Sequence, residues 1–399
     1  MRYRPWTALV AVGALATTSL AFALPTPAPA AAVGAPAIEV AEAGGTADAA
    51  PLRMALDQMV TDGYPGVVAY GRVGERRWQL AAGVADRATG RPARPGDRFR
   101  IASNTKAFVS TVLLQLAGER RLSLDDPVEK WLPGVVQGAG NDGSKINIRQ
   151  LLNHTSGLWD PTTERSFWAP YLDQQQWDHV YPPREVVAAA VAHPPNFAPG
   201  TSWDYSNTNY LFAGLVVEAV TGRDAVTEVR QRIFRPLGLH HTTFPVTDPE
   251  IHGRHLHGYD LVGRDLTRFS PSYDWTAGAI VSTTAELARF HAALFGGRLL
   301  RPAQQRELET VLPMDGPSGG YGLGVRRMDV PCDSGPVPVW QTDGGGPGFT
   351  SIALTSLDGS RQLVLAGNVY DIDRDVRGLP PVPNSTGSLI ALRSVICAS

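Results

Sequence analysis

Two blocks of strand-forming sequence stand at opposite ends of this chain, with a long helix-forming stretch between them. Near the start, residues 66–70 and 78–84 alternate in a way that suits two strands around a turn at Gly74-Glu75. Near the end, residues 321–326, 337–341, 350–355 and 362–367 have the same strand-like character. Helical spacing marks residues 52–62, 103–116, 184–192, 209–220, 284–295 and 385–395, and Gly118 and Gly222 follow two of these runs as stop signals. Strand character also returns at 278–282. This order reads as an α+β fold: an antiparallel sheet flanked by helices, with a mostly helical region inserted at about residues 121–275. There is no internal repeat.

The chain opens like an export signal. Arg2 and Arg4 precede an apolar run at 7–24, and residues 25–32 are rich in small side chains, so cleavage is expected near residues 30–32. The competing reading is a membrane anchor, since a run of about 18 residues is near the lower limit for spanning. The small residues just after it favour cleavage, so residues 1–32 are assigned to a signal peptide and the mature protein to the extracellular space, without a stable membrane anchor. Residues 33–50, rich in Ala, Gly and Glu, suit a flexible leader, and residues 51–399 a single catalytic domain. With a net charge of −2 and no dense basic run, nothing points to nucleic acid. The two cysteines, Cys332 and Cys397, suit a disulfide in an exported chain, against the alternative of two buried thiols.

Lysine occurs only at Lys106, Lys130 and Lys145. Lys106 closes the run Ser103-Asn104-Thr105-Lys106 at the head of a predicted helix. Residues three apart share a helical face, so the hydroxyl and the amine meet. Serine alone is a poor nucleophile, and a lysine whose pKa is lowered by burial can take its proton. The helix N-terminus adds N–H groups that favour a developing oxyanion. A second segment, Pro199 to Asn207, places Tyr205 and Asn207 after a Pro-Gly turn, where a phenol near a lysine can act as acid or base. By itself it reads equally as a turn before a helix N-cap. A third, Thr342-Asp343-Gly344-Gly345-Gly346-Pro347-Gly348, lets another backbone approach closely, as a substrate-holding strand edge or as a simple hairpin turn.

The order of these three segments resembles the serine β-lactamase-like family, which includes class C β-lactamases and secreted D-alanyl-D-alanine carboxypeptidases of the actinobacterial type. The stretches 151–158, 277–283 and 321–324 are similar to it as well, and the likeness runs from about residue 52 to 397. The resemblance implies a β-lactamase/transpeptidase-like fold and an acyl-enzyme mechanism without metal or cofactor. It makes Ser103 the nucleophile, Lys106 its base and Tyr205 the proton carrier to the leaving group. Asn207 would orient substrate or Lys106, and the N–H groups of Ser103 and Gly345 would form the oxyanion hole. Arg326 would bind a substrate carboxylate, Trp275 would wall the pocket, and Cys332 would pair with Cys397. One departure matters. The family's third motif usually begins with His or Lys, and here Thr342 stands at that substrate-binding position, followed by Asp343.

Three functions fit these residues. The leading one is a carboxypeptidase acting on D-Ala-D-Ala peptides such as peptidoglycan stem peptides, with β-lactams as acylating ligands. The second is an esterase or β-lactamase on the same scaffold, and the third a non-catalytic penicillin-binding relative. Other signals are set aside. Gly316 to Gly320 fits a Gly-x-Ser-x-Gly elbow, but the required strand and helix lie in the reverse order around it. His252, His255 and His257 read as a solvated loop, and His154 as a side chain that satisfies a buried loop's backbone.

Overall fold

A computed structural model describes residues 49–314 and 319–398. The proposed signal peptide, most of the leader and Gly316 to Ser318 of the elbow-like run lie outside the described residues.

Helix α1 (Ala50–Thr61) leads into strands β1 (Gly66–Val73), β2 (Arg76–Asp86) and β3 (Arg91–Pro92). Near the other end come β4 (Leu312–Pro313), β5 (Gly320–Tyr321), β6 (Arg326–Val330), β7 (Val337–Gly346), β8 (Phe349–Ser356) and β9 (Arg361–Gly367). They form one antiparallel nine-stranded sheet in the order β3-β2-β1-β9-β8-β7-β6-β5-β4. The two strand blocks of the sequence join where β1 pairs with β9, from Val67 opposite Gly367 to Val73 opposite Arg361.

Between the blocks run helices α2 (Thr105–Gly118), α3 (Asn207–Thr221) and α4 (Thr284–Phe295), and α5 (Thr386–Ile396) follows the sheet. One apolar core, with Leu52, Leu56, Val67, Leu365 and Val395, joins α1 and α5 to one face of the sheet. A larger core lies on the other face and includes Val68, Phe108, Val112, Phe212 and Phe290. Helix α2 is apolar on nearly every side because it is buried on nearly every side, from Thr105 to Leu114. The Phe108 ring stacks on Phe290 with centroids 3.6 Å apart. Cys332 and Cys397 form a disulfide across 65 residues, tying the end of α5 to the β6–β7 connection. A link of this span typically stabilises by roughly 2–4 kcal/mol. Among the described residues no helix is long and apolar enough to cross a membrane.

Two predicted strands are corrected. The run 321–326 is broken: Gly322 N–H bonds to the Val325 carbonyl, and Gly324 takes φ +81°, so the chain reverses and β5 pairs with β6. The run 278–282 starts as a short helix, Trp275–Gly278, and only Val281–Ser282 is extended, paired with Phe99–Arg100. Gly278 permits this helix, because a Cβ there would sit on the Asp274 carboxylate.

Candidate active site

Ser103 stands in a single 3-10 turn, Ala102–Asn104, just before α2. Ala102, the residue before it, is held at φ +45°, a conformation rare for a side chain with a Cβ. Such strain persists only where the surroundings enforce it. Strand β7 packs directly against this turn. Gly344 packs so closely that an added Cβ would lie 2.2 Å from the Ile101 carbonyl and 3.0 Å from the Ser103 nitrogen. The third segment is therefore a strand, with Gly344, Gly345 and Gly346 in its last positions and the turn delayed to Pro347-Gly348.

The edge of β7 opens at the same place. Its pairing with β6 ends at Gln341 opposite Arg326, whereas its pairing with β8 continues from Thr342 to Gly346. Strand pairing along one side of β7 thus stops at Gln341, just before the stretch that packs beside Ser103. An exposed strand edge can hold an extended peptide through main-chain hydrogen bonds.

Lys106 projects from the first turn of α2 and is 1% exposed. Its Nζ lies 2.9 Å from Ser103 Oγ, 2.7 Å from Asn207 Oδ1 and 2.9 Å from the Ala277 carbonyl. Burial pulls its pKa down to about 8, against the opposing pull of Asp274, Asp160 and Asp343. The geometry defines what the neutral amine can do. Two N–H bonds are spoken for by the Asn207 and Ala277 oxygens, which leaves the lone pair toward the serine hydroxyl.

The Tyr205 ring lies 4.9 Å from Lys106 Nζ and 4.4 Å from the His154 ring, centroid to centroid in the second case. His154 accepts from Ser206 N–H at Nδ1, and its backbone carbonyl accepts from Asp204 N–H. The histidine therefore satisfies the buried loop, as its sequence context suggested, and braces both neighbours of Tyr205. Desolvation keeps its pKa well below the usual range, so the imidazole is neutral, and with Nδ1 accepting, Nε2 donates to Tyr321 Oη.

Asn207 is committed to the lysine. Its Oδ1 accepts from Lys106, its Nδ2 donates to Thr162 Oγ1 at 3.0 Å, and its N–H donates to Asp160 at 2.6 Å. Of the two roles open to it, orienting Lys106 is the one the contacts fill. Thr342 does not meet the expectation of a substrate contact. It is 5% exposed, donates to Asn104 Oδ1 and accepts from His291 Nε2. Side chains alternate along a strand, and position 342 shares the inward face with Gly344. Trp275 is likewise no open wall: it is 4% exposed and packed into the larger core. Arg326, 4% exposed, heads β6 where the open edge of β7 begins.

Sequence reasoning passed over four parts of this constellation. The Ala277 carbonyl is a backbone group without a residue-type signal. Asp160 is buried and holds the loop of Asn207, with burial raising its pKa. Asn104 bridges Ile101, Ser351 and Thr342. Asp274 is 5% exposed, its pKa is raised to about 6 by burial, and its Oδ1 has no hydrogen-bond partner among the described residues.

A buried lysine aimed at a serine beside an open strand edge, on this mixed sheet-and-helix scaffold, defines the β-lactamase/transpeptidase-like class of serine hydrolases. The chain belongs to that family: the family model described as Beta-lactamase matches residues 52–373. Among solved structures it is similar to a D-stereospecific amidohydrolase from Streptomyces sp., at 38% identity and TM-score 0.77, covering 88% of this chain and 99% of that one. Among curated relatives it is 36% identical to esterase EstB of Burkholderia gladioli over 188 residues, 45% of this chain and 46% of the esterase. It is 25% identical to penicillin-binding protein 4* of Bacillus subtilis (strain 168), over 76% of this chain and 68% of that protein. The chain thus spans less than half the length of the esterase it matches.

Proposed function

We propose that this chain is an exported amidohydrolase that forms an acyl-enzyme on Ser103 and cleaves small amides, peptides or esters of D-configured residues. The observation that carries the reading is the three-way hold on Lys106 Nζ, which leaves its lone pair toward Ser103 Oγ. In the first half-reaction Ser103 attacks the carbonyl carbon as its proton passes to Lys106. The oxyanion is received by the N–H groups of Ser103 and Gly345. The proton returns through Lys106 and Tyr205 to the leaving amine or alkoxide, and water then releases the acyl group. The likeness to a D-stereospecific amidohydrolase supports the substrate class. The signal-like residues 1–32 support export.

Two observations favour an uncharged leaving group over a C-terminal D-alanine. The Thr342 hydroxyl is used internally, and the acidic residues Asp274, Asp160 and Asp343 all act on Lys106 electrostatically, a setting that disfavours a further negative charge. Arg326 beside the open edge supports the second reading, a D-alanyl-D-alanine carboxypeptidase acting on peptidoglycan stem peptides, with β-lactams as acylating inhibitors. Side-by-side turnover of a D-amino acid amide and an acylated D-Ala-D-Ala peptide separates them. The expected result is at least about tenfold higher kcat/KM for the amide, which corresponds to about 1.4 kcal/mol of transition-state binding. Faster release of D-alanine would establish the carboxypeptidase instead.

The lysine also sets a pH dependence. Neutral Lys106 is the active form, so activity is gained as pH rises through its pKa of about 8. With an uncharged ester substrate, log(kcat/KM) is expected to climb with unit slope at lower pH and level off above about 8. A profile that falls between pH 7 and 9 is incompatible with a lysine base.

A further inference from the structure

A cleft of about 300 Å³, sharing no lining residue with the catalytic constellation, opens between the sheet and α4. It is lined from the sheet by Tyr70, Arg72, Arg77, Gln79 and Gln362, and from α4 and the loop after it by Arg289 and Arg298. Helix α4 turns Ala285, Ala288 and Ala292 toward it, positions on one helical stripe whose small side chains leave the space unfilled. Four arginines therefore line one cleft, and no Asp or Glu is among its lining residues.

The placement of these charges is unfavourable as it stands. Arg72 and Arg77 are directly opposite one another on β1 and β2. Like charges at cross-strand positions destabilise a sheet. Among the described residues no acidic side chain forms an ion pair with any of the four. Among the described residues the guanidinium groups of Arg77 and Arg298 make no hydrogen bond or ion pair. Arg72 gives one N–H to the Gly359 carbonyl, while its buried Nε has no partner. Arg289 is bonded to the Gly238 carbonyl at 2.8 Å, which anchors the group without neutralising it. The acidic residue of the adjoining turn, Asp358, is taken up by Ser356 and Ser360.

We propose that this cleft is a binding site for a small phosphate-bearing molecule, held by Arg72, Arg77 and Arg298. A phosphate monoester carries close to two negative charges at neutral pH and three strong acceptor oxygens, and planar guanidinium forks pair with such groups bidentately. A single carboxylate would neutralise only one of the opposed arginines. The cleft has room for a substituent beyond the phosphate, against Tyr70 and the alanine stripe. The site is separate from the catalytic constellation, and its occupancy is independent of the acyl-enzyme reading.

The test compares wild type with the double variant Arg77→Ala/Arg298→Ala by thermal unfolding and titration calorimetry. The probes are inorganic phosphate and glycerol 3-phosphate, against chloride at matched ionic strength and against succinate. Phosphate is expected to raise the wild-type Tm by about 2 °C at saturating concentration. The double variant is expected to bind at least tenfold more weakly and to show no such rise. In phosphate-free buffer it should be at least as stable as wild type, because the Arg72–Arg77 repulsion is relieved. Its unchanged turnover of an ester substrate would report correct folding. An equal phosphate shift in both proteins, or none in wild type beyond the chloride effect, overturns the proposal. So does succinate binding as tightly as phosphate, which would leave only a general anion cleft.

Discussion

Alanine in place of Ser103 is expected to abolish covalent labelling by a β-lactam and to lower kcat on amide or ester substrates by at least about 10⁴-fold. The size follows from the mechanism. Without Oγ there is no atom to carry the acyl group, and Lys106 is left with an N–H or lone pair aimed at empty space. Intact-mass spectrometry is the direct readout. Opening of a β-lactam ring loses no atoms, so wild type should gain the full mass of the drug and the variant none. Lys106→Ala should slow acylation to a similar degree while keeping Ser103 in place, because nucleophile and base act as one unit. The variants separate chemistry from folding if both retain the wild-type melting temperature. Labelling of the Ser103 variant at the wild-type rate would place the nucleophile elsewhere.

Gly344→Ala is expected to lower kcat/KM by about 100-fold without removing any polar group. The added methyl would lie 2.2 Å from the Ile101 carbonyl oxygen, 2.9 Å from Asn104 Nδ2 and 3.0 Å from the Ser103 nitrogen, so the Ser103 turn leaves it no room. Strand β7 must then move away from the Ser103 turn, carrying the Gly345 N–H with it. A displacement near 1 Å in a reacting constellation costs about that factor, and overpacking of this kind costs about 1–3 kcal/mol of stability. The effect should fall on the rate of acylation, followed by stopped-flow with a chromogenic β-lactam, and on the melting temperature together. A variant with wild-type acylation would show that the close contact of β7 with the turn is not needed for the chemistry.

The fold was legible where the signal is local. Alternation over 66–70 and 78–84 marked β1 and β2, helical spacing marked α1, α3, α4 and α5, and Gly222 ends α3 at φ +71°. The expected pairing of Cys332 with Cys397 also matched. Legibility failed where glycines interrupted an apolar run. Residues 321–326 looked continuous in composition, yet Gly322 and Gly324 allow a reversal that apolar patterning does not report. The short helix at Trp275 was missed because a close approach to Asp274, not periodicity, permits it.

The site divides in the same way. That Ser103 and Lys106 meet is a property of three-residue spacing at a helix start, and the sequence determined it alone. Whether the amine is a base or an ordinary ammonium depends on burial and on oxygens drawn from residues 207 and 277, far apart along the chain. The inward turn of Thr342 was decided likewise, by strand register and by His291 on a helix it meets only in space. Spacing along a backbone is written in the order of residues, whereas desolvation and hydrogen-bond geometry are set by groups that only the folded chain brings within a few ångströms.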